Sequence, residues 1–381
     1  MIRKGENIYK RKDGRWEGRY IKGRKEDGKP HYGYIYAPKY HLVKERLLPL
    51  KLQYSLSDGR QLEFHGTFDV WVRGWLEQTV CLLVKQSTYS FYHGIIRRHI
   101  LPAFGKQKLE TITTACTQRF IDDLTKKGLK PGTIRGIAGV LNRIFDDAAA
   151  KQVLLVNPCK GVVLPKKEAP RVKTLERTSQ QQLEREAGKS RRGLSVMLAL
   201  YTGMRIGEIC ALRWQDVDLE AGVIQVHQTL QRIPSLTDDA RKTRLLFGSP
   251  KSLYSERKIP LTAGLKKILE EEQKQSQGDY VISIRGHYTE PRMIRYHFEQ
   301  ILKQTGLEHI SFHSLRHTFA TRCMETGMDV TTLSRILGHS SVKMTLDIYT
   351  DSTPQHKAEA IGKLDKLYLN PNLKLVGQAV S

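Results

Sequence analysis

A thirteen-residue stretch near the middle of this 381-residue chain, Pro158–Pro170 (PCKGVVLPKKEAP), limits its fold more than any other feature, because it holds three prolines and three lysines. Each proline locks φ and lacks an N–H donor, so neither a helix interior nor a central strand can run through it. Residues 158–172 therefore read as an extended basic linker, and the chain must build separate cores on either side. Its length allows two or three domains. A composition 39% hydrophobic and 27% charged suits a folded, soluble protein. No apolar run approaches the roughly 20 residues of a membrane helix. The basic N-terminus has no apolar stretch behind it, so a secretory signal is not expected and a cytoplasmic location is.

The hydrophobic period changes along the chain. Asn7–Lys10, Arg15–Ile21 and His31–Ala37 read as strands, with Asp13-Gly14 as a hairpin turn. Tyr32, Tyr34 and Tyr36 alternate, which places three aromatics on one face. A helical run, Lys39–Leu48, is expected to stop before Pro49, and the polar residues 53–65 to form a linker. From Thr67 the period is helical: Phe68, Trp71, Val72 and Trp75 lead, followed by Thr88–Ile100, Thr117–Lys127 and Thr133–Lys151, with Thr117 and Thr133 as expected N-caps. Beyond Lys173 the pattern is mixed. The expected fold is thus multidomain α+β, with a small N-terminal three-stranded β-sheet carrying one helix, a helical domain, and a mainly α domain with a small β-sheet. The expected divisions are 1–60, 66–157, the linker 158–172, 173–362, and a tail at 363–381.

Charge narrows the partner. There are 63 Lys and Arg against 39 Asp and Glu, a formal net charge of +24. Residues 1–60 alone carry a surplus of nine positive charges. A polyanion is the leading partner, nucleic acid ahead of an anionic membrane. A basic sheet this small can enter a DNA major groove, which admits a β-ribbon. The five cysteines, Cys81, Cys116, Cys159, Cys210 and Cys323, form no C-x-x-C pair, so they read as small buried residues in a reducing compartment rather than as a zinc or disulfide framework.

Four short segments carry the chemistry: Thr202–Glu208 (TGMRIGE), Pro250–Lys258 (PKSLYSERK), His313–His317 (HSLRH) and Leu337–Tyr349 (LGHSSVKMTLDIY). His313 and Arg316 are i and i+3 and share a helix face. Arginines from two separate segments suit one phosphate, because the guanidinium fork matches its oxygens. Fixed Arg and His donors best stabilise the charge that a phosphodiester gains under attack. The sequence shows no carboxylate cluster suited to a metal pair and no G-x-x-x-x-G-K-[ST] loop, so phosphoryl transfer without metal or ATP is expected. His313 and His317 are spaced as zinc ligands can be, but Ser314 occupies the position a zincin gives to Glu. Glu208 is expected to hold Arg205 or a helix end, and His317 to pack or orient a neighbour.

The order Arg, Lys, His-x-x-Arg, His, Tyr over roughly residues 173–362 resembles the tyrosine recombinase (phage integrase) family. The resemblance implies that Arg205 and Arg316 clamp the scissile phosphate, that Tyr349 is the nucleophile, and that His313, His339 and Lys251 complete the site, Lys251 as the β-hairpin lysine that protonates the leaving 5′-oxygen. A free tyrosine has a pKa near 10 and needs a base or a strongly positive pocket, for which His313 is the expected base. The resemblance also implies a 3′-phosphotyrosyl intermediate, no cofactor and a homotetramer on double-stranded DNA. By it, residues 66–165 look like the family's core-binding domain and residues 1–60 like the arm-binding domain of integrases from temperate phages and conjugative transposons. An excisionase and a DNA-bending host protein are further partners it admits. Leu230–Gly248 is long for the family's hairpin, and an inserted β-ribbon is expected there, with Asp238 and Asp239 at its turn. The apolar stripe Ile361, Leu364, Tyr368 docks either on a neighbouring protomer or on its own domain. Two rival readings remain: a chromosome-dimer resolvase or type IB topoisomerase-like enzyme, and a non-catalytic DNA-binding regulator.

Overall fold

The structure, a computed structural model, describes residues 7–24, 29–55, 64–167, 173–235, 243–248 and 256–349. The chain divides into two compact units, Met1–Glu168 and Ala169–Ser381, and the division falls inside the proline-rich stretch.

The first unit opens with an antiparallel sheet of three strands in sequence order, β1 (Ile8–Lys10), β2 (Trp16–Arg24) and β3 (Pro30–Ala37), with a register shift between Ile21 and Gly23. Helix α1 (Tyr40–Ser55) covers one face, where Ile8, Ala37, Val43 and Leu47 form a small core. Tyr34 and Tyr36 lie on the other, exposed face, as the alternation demands. The helix does not stop before Pro49 but continues to Ser55. Val43 and Leu47 already anchor it on the sheet, so the proline removes one hydrogen bond from a helix that tertiary packing holds.

The helical part of this unit has its own core. Helix α2 (Phe68–Gly74) passes through a π-helical turn, Trp75–Val80, into α3 (Cys81–Leu83), and α4 (Gln86–Ile95) passes through a second, Ile96–Ile100, into α5 (Leu101–Phe104). Helices α6 (Thr114–Lys126) and α7 (Pro131–Ala150) complete it. Phe68, Val72 and Trp75 are buried, with Phe68 packed between Phe104 and Phe145, while Trp71 is half-buried. Two expected caps move upstream. Thr113, not Thr117, caps α6 by accepting from the Cys116 N–H, and α7 starts at Pro131 rather than at Thr133. Proline at the first helical position sacrifices an N–H that has no partner there. The start of the linker is pinned to this unit. Val163 N–H donates to Gln118 Oε1 at 2.8 Å, Gln118 Nε2 donates back to Val163 O, and Arg135 Nε donates to Pro165 O.

The second unit is mostly helical: α8 (Arg177–Ala187), the apolar α9 (Leu194–Thr202) and α10 (Ile206–Ala211) precede the strands. Strands β4 (Val217–Asp218), β5 (Val223–Val226) and β8 (Arg257–Pro260) form one sheet in the order β4-β5-β8. Strands β6 (Thr229–Pro234) and β7 (Thr243–Gly248) form a separate antiparallel ribbon at the place where an insertion is expected. Asp238 and Asp239 lie outside the described residues. Helix α11 (Ala263–Lys274) and a short pair, β9 (Ser283–Ile284) with β10 (His287–Tyr288), lead into α12 (Pro291–Thr305), α13 (Phe312–Glu325), α14 (Val330–Leu337) and α15 (Val342–Tyr349). The core gathers α9, which is apolar nearly all round, with residues of α8, α10 to α13 and the main sheet. Of the cysteines, only Cys210 and Cys323 are buried, and none is paired.

Helix α9 ends at Gly203, whose φ of +64° is left-handed, and a Cβ there would lie 2.5 Å from the Phe319 ring and 2.7 Å from Leu337. Gly203→Ala is expected to destabilise the chain by about 2–4 kcal/mol, measured by urea unfolding, because it combines backbone strain with overpacking.

Candidate active site

The turn after α9 positions the first arginine. Gly203 N–H closes the helix on Ala199 O, and Met204 N–H donates to the Thr202 hydroxyl. Arg205 then becomes the N-cap of α10, in extended conformation. Glu208, at the third helical position, reaches back and accepts from the Arg205 N–H at 2.9 Å. The same carboxylate takes a second bond, from Arg205 Nη1 at 2.8 Å. It is 3% exposed and also accepts from both Nη atoms of Arg257, at 3.1 and 2.8 Å. Burial alone would raise the Glu208 pKa; the hydrogen bonds and charge of Arg257, then the charge of Arg205, outweigh this and hold it below the ordinary carboxylate value.

The second arginine sits on α13. Arg316 is 2% exposed, donating from Nη1 to Gly203 O and from Nη2 to Leu337 O, both at 2.6 Å. Arg205 turns to the same place, with Nη2 3.2 Å from Gly338 O, and Arg257 Nε donates to Ile336 O at 2.5 Å. Three guanidiniums thus converge on the C-terminal carbonyls of α14, the negative end of a helix dipole. Burial, and then Arg205, push the Arg316 pKa down to about 9, and it stays charged at neutral pH. Gly338, at φ +65°, ends α14 and swings the chain so that His339 joins this cluster.

Two histidines face the arginines. His339 Nδ1 lies 2.9 Å from the Thr345 hydroxyl, and burial, followed by the charges of Arg316 and Arg205, pushes its pKa down to about 3. His313, in the first turn of α13, is lowered by burial and by the same two arginines. His317 packs edge-on against His313 at 4.6 Å between ring centres, with its own pKa pushed down to about 4 by burial and His313. All three imidazoles are therefore neutral at pH 7.

The structure accordingly brings Arg205, Arg316, His313 and His339 together. Tyr349 ends α15, ten residues beyond His339, and the position of its side chain lies outside the described residues, as does Lys251. Glu208 holds Arg205, as its spacing implies, and Arg257 is the partner that sequence reasoning missed. A period of two puts Arg257 on the buried face of β8 with Ile259, and that was the available signal. The described residues hold no group of three or more His, Cys, Asp or Glu placed for a metal, and no helix among them is long and apolar enough to cross a membrane.

His339 and Arg257 line an open pocket, and with Arg205, Arg316 and His313 close by they make a cationic site of the kind that suits a phosphodiester, on a scaffold of helices with small sheets. The phage integrase family matches residues 168–356, the N-terminal SAM-like domain of phage integrases matches residues 67–125, and the chain belongs to this family. It is 28% identical over 375 residues to a tyrosine recombinase XerC-like protein of Caldanaerobacter subterraneus subsp. tengcongensis, covering 91% of this chain and 95% of the relative. The ICEBs1 integrase of Bacillus subtilis is 26% identical, over 74% of this chain and 78% of its own. In fold, the chain is similar to the Tn1549 transposon integrase in complex with circular intermediate DNA, with TM-score 0.64, 21% identity, and coverage of 77% and 98% of the two chains. It is also similar to lambda integrase bound to a core site, with TM-score 0.60, 18% identity, and coverage of 93% and 97%.

Two outcomes follow from this geometry. Glu208→Gln leaves buried guanidiniums without their counter-charge and is expected to cost about 3–5 kcal/mol in urea unfolding. The histidines give a pH signature. Unfolded, His317 and His339 take up protons below about 6.5; folded, they do so only near 4 and 3. The unfolded state binds more protons in that window, so stability falls as pH drops from 6.5 towards 4, and His339→Gln flattens the decline in urea midpoints between pH 7.5 and 5.

Proposed function

We propose that this tyrosine-type site-specific recombinase integrates and excises a mobile DNA element, using the Arg205–Arg316 cluster to hold the scissile phosphate. The supporting observation is the charge balance of the site: Arg205 and Arg257 share one buried carboxylate, Glu208, while Arg316 beside them is held only by the main-chain oxygens of Gly203 and Leu337. The uncompensated positive charge suits an anion, and it acts most strongly on the extra charge of a phosphorane-like transition state.

In this reading Tyr349 attacks the phosphorus, the bond to the 5′-oxygen breaks, and a 3′-phosphotyrosyl ester forms. His313, neutral at pH 7, accepts the phenolic proton. Lys251 donates a proton to the leaving 5′-oxygen. The 5′-hydroxyl of the partner duplex then attacks the ester and gives its proton to Lys251, the bond to Tyr349 breaks, and His313 returns the phenolic proton to the freed tyrosine, so the bond energy is conserved and no ATP is required. His339 donates to a non-bridging oxygen.

The partner is double-stranded DNA at core-type sites, bound by residues 66–157 with the catalytic unit 173–362, and at arm-type sites, bound by residues 1–60. On the sheet of β1 to β3, the Arg19 guanidinium lies 4.1 Å over the Tyr32 ring, and Arg11 and Arg15 lie 5.3 and 5.7 Å over Tyr36, which supports a backbone-reading basic surface. A homotetramer is the active assembly; lambda integrase forms a tetramer on a Holliday junction. A cytoplasmic location, and help from an excisionase and a DNA-bending host protein, complete the proposal.

The test is a nicked suicide substrate carrying an element end, run without divalent metal on a denaturing gel. Wild type is expected to give a covalent protein–DNA band, and Tyr349→Phe none while it still retards the same DNA. A covalent band with Tyr349→Phe defeats the assignment of the nucleophile. A wild type that footprints the end without forming an adduct makes the chain a DNA-binding regulator.

A further inference from the structure

The bond between His339 and Thr345 has a consequence for the phosphate site. Thr345 lies within α15 and is 2% exposed, and its hydroxyl lies 2.9 Å from His339 Nδ1. Either group can donate in such a pair. If Nδ1 carries the hydrogen, the threonine accepts it, and Nε2 presents a bare lone pair that an anionic oxygen repels. If the hydroxyl donates, Nδ1 accepts, the hydrogen sits on Nε2, and the imidazole becomes a donor to the anion. The choice matters because His339 is neutral at pH 7 and has one N–H to place. A protonated imidazole would donate from both nitrogens and need no such selection. The pocket beside His339, lined also by Arg257, Ser334, Ser340 and Ser341, is open and can admit the anion.

We propose that Thr345 is a positioning residue of this site: its hydroxyl donates to His339 Nδ1, fixes the imidazole hydrogen on Nε2 for a phosphate oxygen, and ties α15, which carries Tyr349 one helical turn later, to the arginine cluster. The inference rests on the reading of His339 as a phosphate donor. Thr345 acts through His339 and touches no reacting atom. It is an orienting partner of the kind that fixes the tautomer of metal-bound histidines, where loss of the partner costs 10–100-fold.

The experiment uses the full chain. Long-range ¹⁵N–¹H NMR on histidine-labelled protein, free and with a DNA end bound, reads the tautomer of His339, assigned by loss of its signals in His339→Ala. Wild type is expected in the Nε2–H form, and Thr345→Val, which keeps the β-branch and removes the hydroxyl, in a mixture. Single-turnover cleavage by Thr345→Val is expected to fall about tenfold with DNA affinity and helix content unchanged. Thr345→Ser returns the hydroxyl and is expected to recover most of that loss. In a His339→Ala background, Thr345→Val should cost nothing further. A wild-type Nδ1–H tautomer, unimpaired cleavage by Thr345→Val, or losses that multiply in the double variant would each overturn the proposal. His339→Ala cleaving as fast as wild type is a different result: it removes the phosphate role of His339 itself, and the inference falls with that premise.

Discussion

The catalytic unit turns on one buried carboxylate. Glu208 is sealed from water, and the groups that compensate it come from both sides: Arg205 from the turn before its own helix, Arg257 from the first residue of β8. Without them a carboxylate at this depth would be expelled or protonated. With them, the loop after α9, the helix α10 and the edge of the main sheet are locked in register. Arg257 extends the lock through its Nε to Ile336 O, and Arg205 through Leu337 O and Gly338 O, so the end of α14 joins the same network. Segments far apart in sequence are thereby held by charge-assisted bonds around a single point.

That network leaves a surplus. Arg316 is buried without a carboxylate of its own and is satisfied by two main-chain oxygens, Gly203 O and Leu337 O. Carbonyl dipoles orient a guanidinium but do not cancel its charge. Keeping such a group dry costs stability, a cost that the entry of an anion in the proposed mechanism would offset. The guanidinium is already fixed in place by these bonds, so little reorganisation would accompany the arrival of charge, the condition under which fixed dipoles and cations act most strongly on a transition state. The same field acts on the histidines. Burial first, and then the cations beside it, disfavour protonation of each imidazole, so His313 and His339 stay neutral, able to accept or donate according to which nitrogen bears the hydrogen.

Much of this was legible in the sequence, for reasons that can be stated. Arg205, His313, Arg316 and His339 stand in short, ordered motifs, and the helix period links His313 to Arg316. The tyrosine face of β3 followed from alternation alone. What stayed hidden depends on tertiary partners. Arg257 looks like any strand-opening arginine until Glu208 is found beside it. Helix α8 carries no apolar stripe to mark it, because its sequence, RTSQQQLEREA, is nearly all polar and buries only Leu183 and Ala187. The run Val223–Gln231 reads as one strand, but it breaks at His227–Gln228 and sends its halves to different sheets. Pro49 should end a helix on local grounds, and packing of α1 on the sheet overrides it.

The two halves of the site are held very differently. The arginines stand on α10, α13 and β8, elements whose apolar faces are buried in the main core. Helix α15 is not so anchored: Val342, Met344 and Leu346 are 39, 47 and 47% exposed, and among its described side chains only Thr345 is buried. Little apolar area removed from water means little free energy opposing local opening. The arginine cluster is therefore rigidly held, whereas the described part of α15 is tied to it by a hydroxyl–imidazole bond and the turn at Gly338. In the proposed mechanism, a pocket built this way would accept a phosphate whether or not the tyrosine is in place. Binding and attack would then be separable steps, because different interactions secure each.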